Sequence, residues 1–266
     1  MKNTFHLPDG GHLSYSVEGD GPPLLLVAGL GGMASFWRQA VTHFSPHFTV
    51  ISYDHRGTGA SSRCDRPYSV RTMAEDVQAL SDHLNLSNPV LVGHSTGGAI
   101  GQYWGAVLEF PMKALVLSGT FARPCHYFRS LFTARMEVLH AMGPDAYRRF
   151  SSLFQYPPYW FTEQKVVVDG TGEPPLGTTI LERRIHAILE HDTLDVLQNI
   201  AIPTLVIGAE DDVIVPAYHS RQIAELIPQS ELVVLPRGGH YFPNTERDVF
   251  HRALERFLVN QKKRAA

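Results

Sequence analysis

The chain of 266 residues is long enough for one α/β domain with an insertion, and its 44% hydrophobic and 18% charged residues argue against intrinsic disorder. Its formal net charge of −3 gives no electrostatic reason to expect nucleic acid or an anionic membrane as a partner. Residues 1–11 lack the apolar core of a signal peptide and no apolar run could span a membrane, so we expect a soluble cytoplasmic protein.

The first half of the chain alternates strands and helices. Two short alternating segments around a Pro-Asp-Gly-Gly turn predict an opening hairpin. Continuous apolar runs then predict strands buried on both faces, and periodic apolar positions predict helices between them. The predicted strands are 24–27, 49–53, 90–92 and 114–119, and the predicted helices are 34–44, 70–85 and 97–106. This alternation predicts a mostly parallel sheet with right-handed crossovers.

The pattern changes between Phe121 and Asn199, where helical periodicity dominates and no strand alternation is visible. Helices are predicted at 128–141, 145–154 and 179–190, with Pro-rich interruptions at 156–159 and 173–175. The alternation then resumes with predicted strands at 204–208 and 232–235 and predicted helices at 217–226 and 244–259. We therefore expect one α/β core formed by residues 1–120 and 200–266, with a helical cap formed by residues 121–199.

Residues 93–97 read Gly-His-Ser-Thr-Gly and stand between a predicted strand and a predicted helix. A nucleophile elbow requires this order, because the serine must project its hydroxyl from a sharp, strained turn. Small flanking residues keep the strand and the helix from colliding around it. The helix N-terminus also points backbone N–H groups at charge that develops beside the serine. Ser95 is therefore the candidate nucleophile.

A serine hydroxyl needs a base to take its proton, and the base needs a third group to orient it. His240 directly follows the last predicted strand, and Asp211 and Asp212 follow the strand before it. The order Ser, Asp, His accompanies an elbow in this architecture, and open α/β sheets build their sites at the carboxyl ends of strands. The residues alone leave the choice between the two aspartates open.

These residues resemble the α/β-hydrolase superfamily over nearly the whole chain. In that family the acid stands shortly before a proline and somewhat under thirty residues before the histidine, which assigns it to Asp212, ahead of Pro216, with Asp211 as the alternative. The resemblance implies the α/β-hydrolase fold, with a mostly parallel central sheet flanked by helices and a helical cap insertion. It also implies an oxyanion hole made by the backbone N–H groups of Thr96 and Leu30.

A narrower resemblance is to the aminoacrylate hydrolases of bacterial uracil breakdown and to the 3-oxoadipate enol-lactonases. The motifs that carry it are Gly29-Leu30-Gly31-Gly32 followed by Trp37, Tyr53-Asp54-His55-Arg56-Gly57-Thr58-Gly59, Leu153-Phe154-Gln155-Tyr156-Pro157, and Asp211-Asp212 with Val215-Pro216. Members of the first group can lack the serine nucleophile. This chain has Ser95, which favours acyl-enzyme chemistry.

Aromatic residues are concentrated in the first part of the predicted cap, where residues 121–161 hold 11 of the 27. A cap over the carboxyl edge of the sheet would use several of them to line an apolar, water-poor pocket. The candidate substrate-binding residues are Gly29, Trp37, Phe121, Phe128, Phe154, Trp160 and Tyr241. Arg123, Arg129 and Arg135 could hold a substrate carboxylate, but we interpret them as solvated helix charges.

The predicted function is that of a serine hydrolase, an esterase or lactonase, that cleaves a small or medium carboxylic ester or lactone through an acyl-enzyme. The alternatives are an aminoacrylate- or carbamate-type C–N hydrolase, a cofactor-free C–C hydrolase and a non-enzymatic ligand-binding receptor. No metal or organic cofactor is expected, and Cys64 and Cys125 are expected to be free thiols, because their spacing suits neither a disulfide framework nor a metal site. The expected partner is the small-molecule substrate, with no nucleic acid or membrane, and the chain is expected to be a monomer or homodimer.

Overall fold

The computed structural model describes residues 2–63, 68–108, 110–164 and 176–264, so Cys64 and the predicted interruption at 173–175 lie outside the described residues. The strands of the described part are β1 Asn3–His6, β2 His12–Glu18, β3 Pro23–Val27, β4 Thr49–Tyr53, β5 Val90–His94, β6 Ala114–Ser118, β7 Thr204–Ala209 and β8 Ser230–Leu235. They form one sheet in the order β1-β2-β4-β3-β5-β6-β7-β8.

The first two strands pair antiparallel, and β2 also pairs antiparallel with β4, whereas every pair from β4 to β8 is parallel. The central strands β5, β6 and β7 are buried at every position, which explains why their sequences are continuous apolar runs. Because the strands from β4 to β8 are parallel, the segments that follow β5, β7 and β8 leave the sheet at the same edge.

The helices of the described part are α1 Arg38–Phe44, α2 Val70–His83, α3 Thr96–Ala106, α4 His126–Gln155, α5 Pro158–Gln164, α6 Thr178–Leu189, α7 Tyr218–Leu226, α8 Phe242–Thr245 and α9 Arg247–Arg264, with 3-10 turns at Ala34–Trp37 and Leu194–Asn199. The two helices predicted at 128–141 and 145–154 are the two halves of α4. Gly143 separates them with φ 81°, and Pro144 opens the second half. The single helix predicted at 244–259 is instead split into α8 and α9.

Apolar side chains cover both faces of the sheet. Helices α2 and α3 pack on one face, with Leu80 and Trp104 fully buried, and α1 and α9 pack on the other, with Phe44 and Phe250 buried. A third cluster joins α4 and α6 to Ile214 and Val215 in the loop after β7. The helices α4, α5 and α6, here called the cap helices, stand between β6 and β7 in the chain. No helix in the described ranges is both long and apolar enough to cross a bilayer.

Candidate active site

The turn between β5 and α3 has the geometry of a nucleophile elbow. Ser95 has φ 55° and ψ −118°, a strained conformation for a residue with a side chain, and is 9% exposed. Glycines allow the close packing around it. A Cβ at Gly97 would collide with the carbonyl oxygen of Val27, and a Cβ at Gly93 would collide with the carbonyl oxygen of Gly97.

His240 lies between Ser95 and Asp212 in one hydrogen-bonded row. Its Nε2 is 3.0 Å from the Ser95 Oγ, and its Nδ1 is 2.8 Å from the Asp212 Oδ2. Asp212 is 2% exposed and His240 is 5% exposed. This is the arrangement in which an imidazole can take a proton from a hydroxyl while a carboxylate holds the ring in the required tautomer.

The two neighbouring aspartates make different contacts. The second oxygen of Asp212 accepts hydrogen bonds from the N–H groups of Ile214 and Val215, both at 2.8 Å, which fixes the carboxylate from the side opposite the imidazole. Asp211 turns to the loop before His240 and accepts hydrogen bonds from Gly238 N at 3.1 Å and Gly239 N at 2.8 Å. Asp212 therefore contacts the imidazole, and Asp211 holds the loop that carries it.

A buried polar network supports the elbow from behind. The Thr120 hydroxyl donates to the Ser95 carbonyl oxygen at 2.8 Å, and the Gln102 amide donates to the Phe121 carbonyl oxygen at 3.2 Å. Thr193, from the segment before β7, donates to the Gln102 side-chain oxygen at 2.7 Å. Sequence reasoning missed these residues because isolated polar residues carry no periodic or motif signal.

The glycine-rich loop after β3 lies against the elbow. A Cβ at Gly29 would stand 3.2 Å from the Ser95 Cβ, so this backbone runs directly beside the nucleophile. The Thr96 N–H is at the first position of α3, where an intrahelical acceptor is absent. Within the described residues, neither this N–H nor that of Leu30 donates a hydrogen bond. Both are free for a carbonyl oxygen that becomes negative.

A buried arginine from the cap helices donates hydrogen bonds to the carbonyl oxygens of this loop. Arg184 on α6 is 0% exposed and donates from its Nε to the Leu30 carbonyl oxygen at 2.7 Å. Its other nitrogens reach the carbonyl oxygens of Arg56 at 3.3 Å and Gly29 at 3.5 Å, and the His55 Nδ1 at 3.0 Å. Burial lowers the pKa of Arg184 to about 10, which leaves it charged at neutral pH. Sequence reasoning did not find this residue.

His94 precedes the candidate nucleophile Ser95 and is not part of the hydrogen bonds that join Ser95, His240 and Asp212. Its Nδ1 is 3.1 Å from the Ser118 Oγ, and its ring stacks on Phe36 with centroids 4.9 Å apart. Burial, and secondarily the charge of His240, hold the pKa of His94 well below its usual range. The His94 ring therefore stays neutral beside His240.

A cavity of about 1130 Å³ opens above Ser95 and His240. Of the residues expected to bind substrate, Gly29, Trp160 and Tyr241 line its wall, as does Leu30. The other four do not: Trp37 packs on Phe250 under the sheet, Phe121 and Phe128 pack on each other, and Phe154 packs on Phe150. These four rings fill the hydrophobic core and the interior of the cap helices, and their contact with substrate stays a prediction.

The three arginines of the predicted cap differ in their surroundings. Arg123 forms exposed ion pairs with Asp192 and Asp195, both at 2.7 Å, and Arg129 is exposed, as expected for helix charges. Arg135 is 3% exposed and lies in the cavity wall. The interpretation of Arg135 as a solvated charge is therefore wrong, because its position on α4 faces inward. In the described ranges, no group of His, Cys, Asp and Glu side chains is arranged to hold a metal ion.

Comparisons with known proteins agree with this architecture. The profile of the Alpha/beta hydrolase family matches residues 24–253. A protein of Azorhizobium caulinodans named "Putative carbamate hydrolase RutD" is 35% identical over 246 residues, which cover 91% of this chain and 93% of that protein. A crystallised hydrolase from Pseudomonas aeruginosa has a TM-score of 0.87 at 27% identity, covering 97% of this chain and 98% of the other. The enol-lactonase from Burkholderia xenovorans has a TM-score of 0.88 at 24% identity, covering 97% and 100%.

Proposed function

The chain belongs to the alpha/beta hydrolase family, and from that premise we propose that it hydrolyses a small carbonyl compound through a covalent intermediate on Ser95. The observation that carries the proposal is the row of hydrogen bonds from Ser95 through His240 to Asp212. This row lies at the floor of a cavity large enough for a small or medium organic substrate.

In the proposed reaction the Ser95 Oγ attacks the substrate carbonyl carbon while its proton moves to the His240 Nε2. Asp212 stabilises the resulting imidazolium, and the N–H groups of Leu30 and Thr96 stabilise the negative oxygen of the tetrahedral intermediate. His240 returns the proton to the leaving group, which departs and leaves an ester on Ser95. Water, deprotonated by His240, then attacks this ester and releases the acid and the free serine.

The bond that breaks is proposed from two observations. The name of the relative from Azorhizobium caulinodans favours the C–N bond of a carbamate, which is our first candidate. The serine-centred geometry supports a carboxylic ester or lactone as the second, since alcohol leaving groups need less help from the general acid than amines do. Both candidates use the same three side chains. They differ in the group that His240 protonates, an amine or an alcohol, and in the intermediate, which is a carbonate of Ser95 for a carbamate and a carboxylic ester of Ser95 for an ester or lactone.

The test is to follow pre-steady-state and steady-state hydrolysis of matched esters, lactones and carbamates, with nitrophenol or ammonia release as the readout. We expect a burst followed by many turnovers, and a loss of at least about 10³-fold in kcat for Ser95→Ala with unchanged circular dichroism. Ser35→Ala, from the same cavity wall, should keep the wild-type rate. Turnover that survives Ser95→Ala would refute the covalent mechanism. Binding or one released equivalent without turnover would support the receptor alternative.

A further inference from the structure

The peptide bond between Ser95 and Thr96 carries one of the two proposed oxyanion donors, since its N–H is that of Thr96 and its carbonyl is that of Ser95. A peptide group is planar, so a contact that fixes the direction of the carbonyl also fixes the direction of the N–H. That direction is set by the strained backbone angles of Ser95, φ 55° and ψ −118°. Such a conformation persists only where its surroundings hold it. The contacts of the Ser95 carbonyl oxygen therefore bear directly on the oxyanion hole.

Thr120, which follows strand β6, makes the shortest of these contacts. Its hydroxyl donates to the Ser95 carbonyl oxygen at 2.8 Å, and the N–H groups of Gly98 and Ala99 donate to the same oxygen at 2.9 and 3.1 Å. The two N–H groups belong to the helix that begins at Thr96, whereas the hydroxyl comes from a separate element. A Cβ at Gly98 would stand 2.5 Å from the Thr120 Cβ, so the helix packs tightly on this threonine. Packing therefore fixes the place of the hydroxyl.

A chain of hydrogen bonds fixes the direction of the Thr120 proton. The Gln102 Nε2 lies 3.4 Å from the Thr120 Oγ1 and can only donate, so it leaves the hydroxyl proton for the Ser95 carbonyl. The same nitrogen donates to the Phe121 carbonyl oxygen at 3.2 Å, and the Gln102 Oε1 accepts from the Thr193 hydroxyl at 2.7 Å. The side chains of Thr120, Gln102 and Thr193 are at most 1% exposed. In such an interior, hydrogen bonds that run in one direction polarise one another.

We propose that Thr120 is a positioning residue for the oxyanion hole, because its hydroxyl aims the Thr96 N–H at the substrate carbonyl oxygen. The hydrogen bond also draws electron density toward the Ser95 carbonyl oxygen, which makes the N–H of the same peptide a stronger donor. Thr120 is outside the set of described residues that line the cavity, so it acts through this peptide and not through contact with substrate. The inference rests on the proposed function, since the N–H has this task only if a negative oxygen develops beside it.

The test compares Thr120→Val, which replaces the hydroxyl by a methyl group, with Thr120→Ser, which keeps the hydroxyl. The substrate is the p-nitrophenyl alkanoate that the wild-type protein hydrolyses fastest. The inhibitor is the alkylboronic acid with the same alkyl chain, which resembles the tetrahedral intermediate. Its boron binds the Ser95 Oγ, whose proton passes to His240, and one boron hydroxyl occupies the oxyanion position.

We expect Thr120→Val to lower kcat roughly 5- to 30-fold and to leave KM within about twofold, because removal of a whole donor costs about 10²–10³ and this donor is only misdirected. The inhibition constant of the boronic acid should rise by the same factor, since the tetrahedral adduct uses the same N–H. Thr120→Ser should restore most of both values. A purely structural role would not separate kcat from KM in this way.

The matched control is Thr204→Val, the same substitution at another fully buried threonine. The Thr204 hydroxyl donates to the Ile202 carbonyl oxygen at 3.0 Å, at the opposite end of β7 from Asp212. We expect kcat and the inhibition constant of this variant to stay near wild type. Equal losses in Thr120→Val and Thr204→Val would trace the effect to packing. Wild-type kcat and inhibition in Thr120→Val would overturn the proposal.

An NMR measurement separates this inference from the proposed reaction. The amide signal of Thr96 depends on the polarisation of its peptide group, so it can be followed without turnover. We expect this signal to move to higher field in Thr120→Val and to stay near its wild-type position in Thr120→Ser. Turnover that survives Ser95→Ala would refute the proposed function. An unmoved Thr96 signal in Thr120→Val, with turnover abolished by Ser95→Ala, would refute the role of Thr120 alone.

Discussion

Replacing Arg184 by methionine should reduce catalysis more than it reduces stability. The arginine is fully buried and donates to the Leu30 carbonyl oxygen at 2.7 Å and to the His55 Nδ1 at 3.0 Å. The Leu30 N–H, which we propose as an oxyanion donor, belongs to the peptide whose carbonyl is Gly29 O, another acceptor from this guanidinium at 3.5 Å. Losing the arginine therefore releases the peptide planes on both sides of Leu30.

The expected loss of stability follows from two opposing contributions. Each charge-assisted hydrogen bond contributes about 1.5–3 kcal/mol, so the two shorter contacts together contribute roughly 3–6 kcal/mol. The burial of the charge opposes this contribution. It lowers the pKa of Arg184 from 12.5 to about 10, which corresponds to a destabilisation of the charged form by roughly 3 kcal/mol. We expect Arg184→Met to lower the free energy of unfolding by about 0–3 kcal/mol. Since removal of one oxyanion donor costs about 10²–10³ in kcat, a displaced donor should cost roughly 10- to 100-fold.

The assay pairs urea denaturation with steady-state kinetics on an ester substrate. Ile185→Val is the matched control, because Ile185 is the next residue on α6, is fully buried, and its substitution should cost about 0.5–1.5 kcal/mol. We expect kcat to fall in Arg184→Met with KM little changed, and kcat to stay near wild type in Ile185→Val. A similar fall of kcat in both variants would refute the reasoning, since it would trace the loss to weakened helix packing.

Two further predictions concern titratable residues. Asp212→Asn should lower kcat by about 10⁴-fold, because the asparagine holds the imidazole in the wrong tautomer. Asp211→Asn should lower kcat far less, and it should cost about 1–3 kcal/mol of stability because two backbone hydrogen bonds are weakened. Similar losses of kcat in both variants would contradict the assignment of the acid to Asp212. Burial lowers the pKa of His191 to about 4, so the unfolded chain binds its proton first as the pH falls. Stability should therefore be lost as the pH falls from about 6.5 through 4, by roughly 3 kcal/mol at most from this residue, and denaturation curves of His191→Gln should show a shallower decline.

The sheet and the positions of the three proposed catalytic side chains could be predicted because each depends on local sequence. A glycine-flanked serine between an apolar run and a helix has few alternatives to an elbow, and a parallel sheet brings the ends of its strands to one edge. Ser95, Asp212 and His240 all follow strands, so locating the strands located the residues. The family spacing then favoured Asp212 over Asp211, and the structure shows that Asp211 instead accepts hydrogen bonds from the backbone of Gly238 and Gly239.

The cavity wall could not be predicted as well, because the direction of each cap side chain depends on how the helices pack. Phe128 and Phe132 are one turn apart on α4, yet only Phe132 reaches the cavity. A usable signal was present in the spacing of Phe128, Phe132, Arg135 and Leu139, which places the arginine on one apolar stripe of the helix. Arg184 likewise stands among buried neighbours on α6. A charged residue on the apolar stripe of a helix is predicted to be buried, whereas a charged residue on the opposite face is predicted to be exposed to solvent.

Arg184 also limits how freely this enzyme scaffold can be rebuilt. The three proposed catalytic side chains lie outside residues 121–199, so exchanging that segment between family members is an obvious way to engineer new selectivity. The guanidinium that holds the Leu30 carbonyl nevertheless comes from inside the exchanged segment. A transplanted cap must therefore supply its own donor at this place, or the graft will leave loop carbonyls buried and unsatisfied beside the nucleophile.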